Sequence, residues 1–105
     1  MEMANTIRVR AVSSGEVTEV QALVQHPMNS GFVKDAQGNL IPPHHIEVVE
    51  FQHAGKTVLT ALWGPAVAKD PYVKFSFKGA QKGDDISVSW VDNKGESDSL
   101  VAKVL

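Results

Sequence analysis

Tyr72 to Lys78 reads Tyr-Val-Lys-Phe-Ser-Phe-Lys, with Val73, Phe75 and Phe77 separated by Lys74 and Ser76. Successive side chains of an extended strand point to opposite faces, so this alternation describes a strand with one dry and one wet side. The same period of two recurs along the chain, and helical periodicity is hard to find. In Thr6–Val12, Ile7 and Val9 face inward while Arg8 and Arg10 face outward. Val20, Ala22 and Val24 share one face of a second strand, and Leu23 interrupts its polar side. Ile86, Val88 and Trp90 repeat the pattern near the end. Turn residues divide these runs: Ser13-Ser14-Gly15, Ala54-Gly55-Lys56, Lys82-Gly83-Asp84 and Asp92-Asn93-Lys94-Gly95.

Residues 44–53 supply a further strand, and Glu96–Val104 the last. Thr57–Trp63 carries apolar residues on both faces, which predicts a central, well-covered strand. Two connections are longer. His26 to Pro43 contains the turn-rich stretches HPMNSG and KDAQGN and the pair Pro42-Pro43, and Gly64 to Pro71 is bracketed by prolines that no central strand tolerates. About seven short strands with hairpins and crossovers predict an all-β, immunoglobulin-like antiparallel sandwich. At 105 residues the chain holds a single domain, 1–105, large enough to fold without staples. Met1-Glu2 carries no structural expectation.

Composition removes several functions. There is no cysteine, hence no disulfide, thiolate metal ligand or thiol nucleophile. A formal net charge of −2 lacks the broad basic footprint of a nucleic-acid binder. No apolar run approaches the ~18 residues that span a bilayer, and MEMANTIRVR offers no apolar export segment.

The histidines are the candidates for chemistry. His44 and His45 are adjacent, so on a strand their rings point apart and do not converge on one ion. His45 and His53 share parity but stand roughly 26 Å apart along a strand at ~3.3 Å per residue. No GxSxG, phosphate-binding loop or GxGxxG is present. Asp84 and Asp85 follow Gly83 and suit the start of a strand. The expectation is no catalytic residue, no cofactor and no metal, with His44 and His45 at the beginning of a strand. Lys69, Lys74, Lys78 and Lys82 form a basic stretch that suits either an acidic partner or a solvated face guarded against edge pairing. Met28, Phe32 and Val33 in the first loop, with Pro65, Ala66 and Val67 in the second, suit either cover for a sheet end or a docking patch.

HPMNSG (26–31), GNLIPPHHI (38–46), LWGPAVAKDPYVKFSFKG (62–79) and KGDDISVSWVDNKGESD (82–98) together resemble the Z subunit of the Sox thiosulfate-oxidation carrier complex, in order and over nearly the whole chain. The resemblance implies a non-catalytic immunoglobulin-like subunit that pairs with a Y subunit as a heterodimer. The Y subunit bears covalent sulfur intermediates on the cysteine of a flexible arm, and other Sox enzymes make transient contact with the carrier. It also implies a periplasmic location, reached by export together with the partner. Contact residues are then expected at His26, Pro27 and Met28, at Pro42, Pro43, His44 and His45, and at Trp63, Gly64, Pro65 and Val67. Nucleic acid and membrane are not expected as partners. An enzyme alternative is an iron-binding sandwich like superoxide reductase, whose family uses four histidines and a cysteine thiolate; this chain has four histidines and no cysteine. A stand-alone ligand-binding sandwich is a further alternative.

Overall fold

The computed structural model describes residues 2–3 and 6–105, with side chains from Thr6 onward. The strands are β1 (Glu2–Met3), β2 (Ile7–Ser14), β3 (Val17–Val24), β4 (Ile46–His53), β5 (Lys56–Leu62), β6 (Tyr72–Lys78), β7 (Asp85–Asp92) and β8 (Ser97–Lys103). Seven of these are full strands, and no helix occurs among the described residues. They form two antiparallel four-stranded sheets, in the orders β1-β2-β3-β6 and β5-β4-β7-β8. The fold is the expected all-β sandwich.

Alternation sets which face each sheet buries. Ile7, Val9 and Ala11 of β2 and Val20, Ala22 and Val24 of β3 meet Ile46, Val49 and Phe51 of β4 and Ile86, Val88 and Trp90 of β7. Phe51 crosses the layer to Phe75, ring edge to face, at 4.8 Å between centroids. At roughly 1.5–3 kcal/mol for each large apolar side chain removed from water, this layer is the main stabilising element. Trp90 meets the condition for burying an indole, a partner for its N–H: Nε1 donates to Thr6 Oγ1 at 3.0 Å. The Thr6 hydroxyl in turn donates to Asp98 Oδ2 at 2.6 Å.

One side of the sandwich is closed. A parallel bridge joins Ala11 to Val104, and the Leu105 N–H donates to the Ala11 carbonyl at 2.8 Å. The opposite side ends in β5 and β6, each paired on one edge. The expectation for Thr57–Trp63 is therefore corrected. That segment supplies an edge strand, and Leu62 is 79% exposed. Its second apolar face belongs to an outer row in which Leu62 and Val91 flank Val48. The connections after β3, after β5 and within the β7–β8 hairpin all emerge at one end, and that end holds the candidate site.

Candidate functional site

The loop end is built around one carboxylate. Asp92 closes β7, is 2% exposed, and begins the turn that Gly95 completes at φ 78°. Its Oδ1 accepts the backbone N–H groups of Lys94 (3.0 Å) and Glu96 (2.9 Å), an ordinary Asx turn. Its Oδ2 receives two imidazoles, His26 Nε2 at 3.0 Å and His44 Nε2 at 2.8 Å. Burial pushes the Asp92 carboxyl up, but the bonds from His26, His44, Glu96 and Lys94 outweigh it and hold the group below its ordinary value.

Each histidine arrives from a different part of the first long loop. His26 follows β3 and is 4% exposed. Its backbone is clasped by Asp70 of the second loop: the His26 N–H donates to Asp70 Oδ1 (3.0 Å) and the Asp70 N–H to the His26 carbonyl (3.1 Å). Its ring lies edge-on to Trp90 and to His44, with centroids 5.2 and 4.5 Å away. His44 ends the loop, and its backbone exchanges two hydrogen bonds with Asn29, at 2.7 and 2.9 Å. His45 is not part of this cluster, and its N–H donates to Asn93 Oδ1 at 2.8 Å. The strand expected over residues 44–53 begins two residues later, at Ile46, so His44 and His45 precede β4 and His44 forms only an isolated bridge with Asn29. Sequence reasoning missed that His44 would meet His26 across Asp92.

Two histidines and a carboxylate within 4.8 Å of one another form the one candidate cation-binding group among the described residues. The tautomers oppose that use. The Met28 N–H donates to His26 Nδ1 at 3.1 Å, so Nδ1 carries the lone pair and Nε2 carries the proton that points at Asp92. A neutral histidine binding a metal through Nε2 needs the reverse arrangement, with Nδ1 protonated and donating. Here that proton would face another N–H. The remaining histidines do not complete a site. His45 is not among the clustered groups, and His53 lies at the far end of β4 against Asp84 Oδ2, at 2.9 Å. That bond, followed by one from the Gln81 backbone, holds Asp84 below its ordinary value. The donor set fits a buried hydrogen-bond hub and does not fit an iron centre.

Beyond the hub the first loop becomes an arm. Lys34 bridges Leu40, the Ile41 N–H donates to the Val33 carbonyl (2.8 Å), and the Asp35 N–H donates to the Asn39 carbonyl (2.8 Å). Asp35 Oδ1 accepts from the N–H groups of Gln37 (2.9 Å) and Asn39 (3.0 Å) across the tip. At the base Gly31 has φ 89°, and a β-carbon there would sit 3.3 Å from Pro43, so the close crossing requires glycine. The arm's backbone is paired while its apolar side chains face water: Phe32 is 85% exposed, Val33 56% and Leu40 60%.

The expected contact residues separate into three groups by burial. His26 and Met28 are buried, and the Met28 sulfur accepts the Ile46 N–H at 3.3 Å. Trp63 and Val67 are half-buried against the core. Gly64, His44 and His45 are also half-buried, while Pro27, Pro42, Pro43 and Pro65 are exposed. Leu40, omitted from the expected contacts, belongs with Phe32 and Val33; an apolar pair flanking the turn stretch KDAQGN was the available signal.

Comparison with known proteins agrees with the fold and specifies the family. Two solved structures of superoxide reductase (neelaredoxin) from Archaeoglobus fulgidus, both reduced-form variants, superpose with TM-scores of 0.63 and 0.59. They are 18% and 19% identical, each matching 98% of this chain and 94% and 91% of their own. At that identity the likeness is one of fold. No curated protein sequence matches the chain. The family model described as sulphur oxidation protein SoxZ matches residues 7–103, from the first residue of β2 to the last of β8. The chain belongs to the SoxZ family of sulphur oxidation proteins.

Proposed function

We propose that this chain is the non-catalytic subunit of a periplasmic sulfur-carrier heterodimer and that its loop end holds the Y subunit. The observation that carries the reading, given the family, is the arm. Phe32, Val33 and Leu40 are ordered on a locally hydrogen-bonded hairpin yet bury little against their own domain. A backbone already paired into a hairpin has less freedom left for association to remove. The prolines Pro27, Pro42, Pro43 and Pro65 of the two long loops are exposed and add stiff contact surface, with Pro43 against Gly31 at the base of the arm. His26, Met28, His44, Trp63 and Val67 act from beneath, fixing the position of the arm and the second loop. His45 and Gly64 stand at the margin.

The role assigned to this chain is structural. Binding only the folded Y subunit stabilises it by mass action, and the sulfur chemistry stays on the partner's cysteine. The carrier lets other Sox enzymes approach one rigid body, and the chain reaches the periplasm by export with its partner. A superoxide-reductase-like activity has no support in the His26–Asp92–His44 tautomers.

The test is co-expression with the Y subunit, followed by isolation of the pair and titration of the separated subunits. A one-to-one complex is expected, and Phe32→Ser is expected to weaken it by about 10–100-fold, the range of a buried aromatic anchor. A Y subunit that fails to associate with the wild-type chain refutes the carrier reading. Association indifferent to Phe32→Ser and Leu40→Ser refutes the arm as its contact.

A further inference from the structure

The outward face of β2, β3 and β6 has a charge that neither the fold nor the arm uses. Its registered rows are Arg8–Leu23–Tyr72, Arg10–Gln21–Lys74, Val12–Glu19–Ser76 and Ser14–Val17–Lys78. These outward positions hold four cations and one carboxylate, a net of +3, while the whole chain is −2. The remainder of the chain is therefore −5 by difference. Lys74 lies 3.8 Å from Glu19, whereas Arg8 and Arg10 take no ion pair among the described residues.

Edge protection accounts for part of this face only. Lys74 and Lys78 lie on β6, an edge strand, where lysine discourages further pairing. Arg8 and Arg10 lie on β2, which is paired on both sides, so edge protection gives no reason for them. They adjoin Tyr72, which is 58% exposed, and Leu23 at the centre of the first row. Arginine and tyrosine around a small apolar centre are the residue types enriched where proteins meet.

We propose that this face docks an acidic protein surface, in a transient contact distinct from the arm. Size sets the transience. Three strands about 4.8 Å apart and roughly eight residues long present a footprint on the order of 400 Å², about half of the ~800 Å² that each side gives to a stable complex. A contact of that size depends on charge for its rate of formation and falls with salt. A shallow cavity of about 430 Å³ opens on the same face beside Arg10, but Glu19 and Gln21 share its lining. A carboxylate in that lining disfavours capture of a small free oxyanion and leaves the flanking arginines for a broad acidic partner. The inference stands independently of pairing with the Y subunit.

The test titrates the isotopically labelled full chain with octaglutamate at low salt, following amide and arginine side-chain resonances. Shifts are expected at Arg8, Arg10, Gln21, Tyr72 and Lys74, and raising salt from about 25 to 300 mM should weaken binding by more than tenfold, as screening shortens from ~20 to ~6 Å. Arg8→Gln with Arg10→Gln should cost at least tenfold at an unchanged unfolding temperature. Lys74→Gln with Lys78→Gln provides an independent pair should the first perturb β2. Shifts confined to other residues, or none, overturn the proposal. So does an equal response to sulfate at matched ionic strength, which would indicate a small-anion site. A mass that rises with concentration at low salt and falls in the arginine variant would assign the face to self-association and overturn it as well. Loss of the octaglutamate response leaves the carrier reading untouched, because co-isolation with the Y subunit tests that separately.

Discussion

Replacing Asp92 by asparagine removes a charge and keeps the shape, so the hub can be tested with little change of volume. The asparagine Oδ1 can still accept from Lys94 and Glu96. Its Nδ2, however, stands where Oδ2 received His26 and His44. His44 can move its proton to Nδ1 and accept instead. His26 has no such option, because the Met28 N–H already occupies Nδ1. One charge-assisted bond is lost, about 1.5–3 kcal/mol, and one buried donor is left facing another, about 1–3 kcal/mol more. A loss of about 3 kcal/mol corresponds to a fall in Tm of roughly 10–20 °C for a domain of this size. The pH dependence follows from the lowered Asp92 value. A carboxyl depressed in the folded state adds stability that is fully present above the unfolded value near ~3.9 and is lost as pH falls through the folded value. The gap between wild type and Asp92→Asn should therefore be widest at neutral pH and close in strong acid. Asp98, also lowered against its burial by Thr6 and Ser99, leaves residual acid sensitivity in both proteins. Calorimetry at neutral pH with urea titrations down to about pH 3 reads both effects. A Tm within about 2 °C of wild type at neutral pH, or a gap that widens in acid, refutes the hub as described.

Three further outcomes follow from local geometry. Thr18 is fully buried on β3 and its hydroxyl has no hydrogen-bond partner among the described residues, so Thr18→Val should raise stability by about 1 kcal/mol in urea denaturation. Ala54 and Gly55 form the β4–β5 turn at φ 52° and 77°, and Ala54→Asn, which tolerates the left-handed region better, should add about 0.5–1 kcal/mol by the same assay. Fe(II) or Zn(II) added anaerobically should not bind stoichiometrically by calorimetry, and tight one-to-one binding would overturn the tautomer assignment at His26.

Period-two alternation made the sandwich legible because one buried face per strand is a local property, written in Ile7 and Val9 or in Val73, Phe75 and Phe77. β5 misled because apolar residues on two faces also describe an edge strand whose outer side continues a row, here Leu62 with Val48 and Val91. The hub was not legible at all. An aspartate opening DNKG looks the same whether its second oxygen meets water or two imidazoles. The partners of Asp92 lie 66 and 48 positions away, a distance no local pattern spans. The arm was visible as turn chemistry, but its exposure required knowing that Met28 goes into the core and Phe32 does not.

The arm also bears on how such a domain can diverge. Its order depends on its own rungs, on the Asp35 side chain across its tip and on Gly31 beneath Pro43. Phe32, Val33 and Leu40 contribute little to the packed layer, so their replacement should be nearly silent in unfolding experiments. Sites without shared contacts are close to additive. A lineage can therefore exchange the residues at the arm while Asp92, His26 and Trp90 stay fixed, and change in the surface the arm presents leaves the domain as stable as before.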